Sequence, residues 1–109
     1  MLVIPMGWDV FVEYRNADPQ MAHSLGVDRA TADFPTDFTP LSPAFPNAHT
    51  PGAGTEKHAT PPGGVSSFRF KATEEGDFTL VCYVPGHAAV GEYLRLRISS
   101  GATLPSFSH

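Results

Sequence analysis

One cysteine, Cys82, is all the sulfur chemistry this 109-residue chain can draw on from thiols. That scarcity excludes an internal disulfide, a four-cysteine zinc site and a CxxC redox pair. Positive charge is also scarce. Seven lysines and arginines stand against eleven acidic residues, for a net charge of -4. With no basic run to neutralise a phosphate backbone, nucleic acid is not an expected partner. No stretch approaches the roughly 18 consecutive apolar residues that a membrane-spanning helix needs. Met1 to Pro5 lacks the basic start and cleavage site of a secretory leader. There is no internal repeat, and Gly52-Ala53-Gly54 lacks the strand, helix and spacing of a phosphate loop.

What is present favours β-structure. Ten glycines and eleven prolines suit short strands and many turns and work against long helices. The length suggests one domain, 1–109. From Trp8 to Arg15 the chain alternates, with Trp8, Val10, Val12 and Tyr14 on one face, Asp9, Glu13 and Arg15 on the other, and Phe11 as the exception. That pattern predicts a half-buried strand. Met1 to Ile4 reads as a short strand closed by the turn at Pro5-Met6-Gly7. His23 to Val27 alternates with His23, Leu25 and Val27 in phase. Phe68, Phe70 and Ala72 share a face, as do Phe78, Leu80 and Cys82. Glu92 to Ser99 closes the set, with Leu94, Leu96 and Ile98 inward. Six candidate strands without an amphipathic helix predict an all-β sandwich or barrel.

Between Ala30 and Gly64 the alternation disappears. Seven of the eleven prolines lie there: Pro35, Pro40, Pro43, Pro46, Pro51, Pro61 and Pro62. A stretch of this length without regular structure is a functional covering loop, a disordered insert, or a strand or short helix that the pattern hides. Phe34, Phe38, Leu41 and Phe45 favour a loop packed on the sandwich over a solvated linker.

The chemistry concentrates in Cys82-Tyr83-Val84-Pro85-Gly86-His87-Ala88-Ala89-Val90-Gly91-Glu92. A strand ends at Cys82, Pro85 and Gly86 bend the chain, and the next strand begins at Glu92. A short loop thus brings a thiol, an imidazole and a carboxylate together. By parity Cys82 and Glu92 both point inward, and so does His23. A buried carboxylate is costly unless it is paired or bound to a metal. A soft thiolate with imidazoles suits copper better than magnesium or calcium, which take oxygen shells. Met21 is a reserve ligand. His49 competes with His23 for the role of upstream ligand but sits in a Pro/Gly-rich loop, as does His58.

Three stretches, Ile4 to Val10, Asn16 to Leu25 and Cys82 to Leu96, resemble the cupredoxins, and most closely their sulfocyanin-type branch. The resemblance implies a Greek-key β-sandwich, one-electron transfer through a single type 1 copper, and His23, Cys82 and His87 as the equatorial ligands. At the position where the family usually has Met, after four residues beyond His87, this chain has Glu92. A carboxylate there should stabilise Cu(II), lower the potential and move the colour from blue toward green or red, since the axial ligand tunes such sites. Red copper proteins in the family carry a similar set of two His, one Cys and one Glu. The resemblance further implies Ser24 or Asn16 as a tie to the Cys82 region. It also implies a redox partner protein docking near His87 on a patch of Pro85, Ala88, Ala89 and Val90, a monomeric carrier rather than an enzyme, and a place outside the cytoplasm. Three other functions compete: a copper site open to small ligands with redox catalysis, a copper carrier, and a thiol enzyme using Cys82, His87 and Glu92.

Overall fold

In a computed structural model, which describes residues 1–30, 34, 41–84, 86–87 and 93–108, the regular elements among the described residues are all strands. They are β1 (Leu2–Pro5), β2 (Asp9–Arg15), β3 (Gly26–Arg29), β4 (Val65–Lys71), β5 (Gly76–Val81), β6 (Tyr93–Ser99) and β7 (Ser106–Phe107). One sheet runs in the order β3-β5-β6-β1-β7, and β2 and β4 form a second. Strand β1 runs parallel to β6, while the other pairs are antiparallel.

Register explains the core. Ile4 lies opposite Ile98 and Phe78 opposite Leu96, so the large sheet presents one apolar face. In the small sheet Val10 faces Phe70 and Val12 faces Phe68. These side chains meet between the sheets in one cluster, the arrangement that alternation in half-buried strands produces. The anomalous Phe11 is on the outer face, where the Arg69 guanidinium covers its ring at 5.0 Å. Trp8 departs from its expected place. It lies outside β2 and is 42% exposed. At the preceding corner Gly7 takes φ of 92°, a conformation open to glycine. Its N–H bonds Ala72 O while Met6 N–H bonds Ser99 O, which joins the two sheets.

The strand set departs from the sequence reading in places. The strand expected over His23 to Val27 begins only at Gly26, and His23 instead makes an isolated bridge with Thr60. β7, only two residues long, had no pattern to betray it. Glu92, the expected first residue of the last strand, lies outside the described residues, as do Pro85, Ala88, Ala89, Val90 and Phe38.

The described part of the long loop packs down. Phe45 is buried between Phe70 and Phe78, with ring centroids at 5.3 and 5.0 Å. Ala44 N–H donates to Val27 O and Val27 N–H to Ala48 O, so the loop covers the open edge of β3, which would otherwise be a template for pairing with another chain.

Gly26 permits one tight approach. A Cβ there would lie 2.1 Å from Tyr83 Cε2 and 3.0 Å from Ala48 O. Gly26→Ala is therefore expected to destabilise the fold by about 1–3 kcal/mol, the usual cost of overpacking. The denaturation midpoint reads this directly, and a midpoint equal to wild type would contradict the packing. Because Tyr83 follows Cys82, the same clash bears on the thiol.

Candidate metal centre

Cys82 comes directly off the end of β5 and is 1% exposed. His87 follows at the far side of a turn in which Gly86 has φ of 83°, and its N–H is tied to Val84 O. His23 arrives from a different part of the chain. Its N–H and C=O exchange hydrogen bonds with Thr60 at 3.0 and 2.9 Å. The three side chains converge, with one ligand atom from each lying within 4.8 Å of the others.

Both imidazoles present Nδ1 to the sulfur. Cys82 Sγ is 4.0 Å from His23 Nδ1 and 3.4 Å from His87 Nδ1, and the rings lie 4.9 Å apart, tilted by 54°. At metal–sulfur and metal–nitrogen distances of about 2.3 and 2.0 Å, a trigonal arrangement separates sulfur from nitrogen by about 3.7 Å. The observed pair brackets that value, so the donor set fits one first-row ion. A thiolate with two imidazoles is the equatorial set of electron-transfer copper sites.

The sulfur is held from the other side by Ser24. Its N–H points at Cys82 Sγ at 3.4 Å, and its hydroxyl accepts from Tyr83 N–H and donates to Ala53 O, both at 2.9 Å. The expected tie between the two ligand segments is therefore made by Ser24. Asn16 acts elsewhere. Its side-chain amide donates to Met21 O and Thr60 O at 2.8 and 2.9 Å, which fixes the segment that carries His23.

Asn16-Ala17-Asp18-Pro19 reads from the sequence as a turn, with no role for Asp18 at a metal centre. Asp18 Oδ2 receives His23 Nε2 at 2.8 Å. The His23 hydrogen bond, with backbone N–H donors from Gln20 and Met21, holds its carboxyl down at about 2. An ionised carboxylate only accepts, so this contact calls for a proton on His23 Nε2, and in the neutral imidazole the lone pair is then on Nδ1, which faces the sulfur.

Among the described residues, His49 and His58 are not part of the converging group. His49 bonds Thr50 O through Nδ1 at 2.8 Å and is half-buried rather than solvated. His58 is exposed beside Thr55, and Met21 is 42% exposed. The placement of Glu92 falls outside the described residues.

A family model described as the sulfocyanin (SoxE) domain matches residues 1–108. No curated protein sequence matches the chain. Among solved structures it is similar to dithionite-reduced auracyanin from Roseiflexus castenholzii, at 21% identity and TM-score 0.68, covering 89% of this chain and 82% of that one. It is also similar to rusticyanin from Thiobacillus ferrooxidans, at 22% identity and TM-score 0.62, covering 89% of this chain and 59% of that one. A further structure of rusticyanin, described as a copper protein, aligns at 23% identity and TM-score 0.58, over 89% of this chain and 60% of that one. The chain thus spans about three fifths of the length of rusticyanin.

Proposed function

The chain belongs to the sulfocyanin (SoxE) family, and from that premise we propose that it is a one-electron carrier. It holds one copper ion through His23, Cys82 and His87, with Glu92 as axial donor. The observation that carries this reading is the convergence of one sulfur and two imidazole nitrogens within 4.8 Å of one another. Copper supplies the Cu(I)/Cu(II) couple when bound. The chain's own part is to keep the donors still. Electron transfer is fastest when the site changes little between oxidation states, and ligands locked by surrounding hydrogen bonds provide that constancy. Ser24, Asn16 and the His23–Thr60 bridge do this here.

Two features support Glu92 as the axial donor. It follows His87 at the position where the family has Met, and it shares the parity of Leu96 and Ile98, which are 1% and 0% exposed, although Leu94 between them and Glu92 is 39% exposed. An anionic oxygen donor favours Cu(II), so this carrier works at a lower potential than a thioether-ligated relative and is green or red. A redox partner protein docks over His87, which is half-buried while the thiol is sealed. The carrier works as a monomeric single domain outside the cytoplasm. A thiol-enzyme role is disfavoured, because a sulfur with 1% exposure gives a substrate no approach.

Titrating the metal-free protein with Cu(II) tests the assignment. One equivalent should produce an intense thiolate-to-copper absorption that dithionite bleaches and oxidant restores. A colourless protein after copper addition defeats the copper reading. Colour that cannot be cycled points instead to a carrier of the metal.

A further inference from the structure

The segment from Asn16 to His23 is built around a carboxylate. Asp18 N–H donates to Asn16 Oδ1 at 2.9 Å. Asp18 Oδ1 then accepts the backbone N–H groups of Gln20 and Met21 at 2.8 and 3.2 Å. Pro19 lies inside this turn and restricts its backbone. With Oδ1 so occupied, Oδ2 is left aimed at His23 Nε2, 2.8 Å away. The same imidazole turns Nδ1 toward Cys82 Sγ. Asn16 closes the far side by bonding Met21 O and Thr60 O, and Thr60 is the residue that brackets the His23 backbone. The carboxylate is therefore held on three sides before any metal enters.

We propose that Asp18 is the positioning residue of this centre: it fixes His23 as the Nε2–H tautomer with Nδ1 bare, and its negative charge beside the imidazole biases the bound metal toward the oxidised state. This rests on the copper reading above. The physical grounds are general. A ligating imidazole whose other nitrogen donates to a carboxylate is oriented and made more basic, and loss of such a partner typically lowers metal affinity about 10–100-fold. Asp18 bonds the ring of His23, so its removal should act on that imidazole first. That gives the carboxylate a signature that a loop-stabilising role lacks.

Two variants separate hydrogen bond from charge. Asp18→Asn keeps an acceptor and can keep the turn, whereas Asp18→Ala removes both. The first measurement uses metal-free protein: ring nitrogen chemical shifts of His23 and His87 at mildly alkaline pH. Wild type and Asp18→Asn should show His23 with Nδ1 unprotonated. Asp18→Ala should show a mixture of tautomers at His23 and no change at His87. The second measurement is the reduction potential of copper-loaded protein. A tenfold selective loss of Cu(II) affinity in Asp18→Ala corresponds to a rise of about 59 mV for a one-electron couple, with Asp18→Asn also raised because its charge is gone. An unchanged His23 tautomer in Asp18→Ala overturns the positioning role. Equal potentials in all three proteins overturn the electrostatic one. If the wild type itself does not bind copper while the tautomer still responds to Asp18, the copper reading fails and the positioning of His23 stands.

Discussion

Replacing Cys82 by serine is expected to abolish the intense visible absorption of the copper-loaded protein entirely, leaving only the weak bands of a nitrogen-and-oxygen site. The polarizable sulfur is the sole source of low-energy charge transfer to the metal, and no second cysteine exists to take its place. The soft ligand also favours Cu(I), so its loss should remove reversible cycling together with the colour. Folding should survive. The buried sulfur receives Ser24 N–H at 3.4 Å, and a serine oxygen at that position can accept the same donor, so the expected cost is about 1 kcal/mol. Equilibrium unfolding and the visible spectrum, recorded on the same sample, separate the two effects. A folded Cys82→Ser protein that keeps the absorption would remove the thiol from the centre. A parallel alkylation of the metal-free wild-type protein should be slow, since the thiol is buried.

Much of this architecture was readable from residue order because sandwiches write their burial into alternation. Val10, Val12, Phe68, Phe70, Leu96 and Ile98 all sit on the inner faces where period two places them. The failures have local causes. His23 to Leu25 alternates like a strand, yet its backbone partners are Thr60 and Thr50 in the loop rather than a neighbouring strand. Leu94 has the inward parity of Leu96 but is 39% exposed. Phe45 could be expected to pack, but its position between Phe70 and Phe78 follows from the loop's path and not from spacing.

The centre divides in the same way. Cys82 and His87 were legible because one turn joins them, so sequence distance approximates spatial distance. The parity that points His23 inward belongs to a strand that the backbone does not form there, and Ser24 follows from family likeness. Asn16 does not make the expected tie to the Cys82 region, since its amide serves Met21 and Thr60. Asp18 was legible only as part of a turn. That the turn's second carboxylate oxygen meets an imidazole depends on side-chain direction, which no one-dimensional pattern encodes.

The second large effect is expected at Glu92. If its carboxylate is the axial donor, Glu92→Met exchanges an anionic oxygen for a neutral thioether, and the preference for Cu(II) falls. Each tenfold change in the relative affinity for the two oxidation states is worth about 59 mV. A loss of one to two decades therefore raises the potential by roughly 60 to 120 mV. With the weaker donor, a bound metal would be held chiefly by His23, Cys82 and His87. That strengthens the thiolate bond and moves the absorption from green or red toward blue. Glu92→Gln divides the effect: it keeps an oxygen donor without the charge, so its potential should fall between those of wild type and Glu92→Met. The order of the three potentials is the decisive observation. If both variants match the wild type in spectrum and potential, Glu92 is a solvent-facing strand residue and the axial position belongs to another group, with Met21 the first to replace. If only the potential moves, the carboxylate acts through its field rather than through a bond. With Asp18 behind His23, two anions would then bias the centre without either touching the metal.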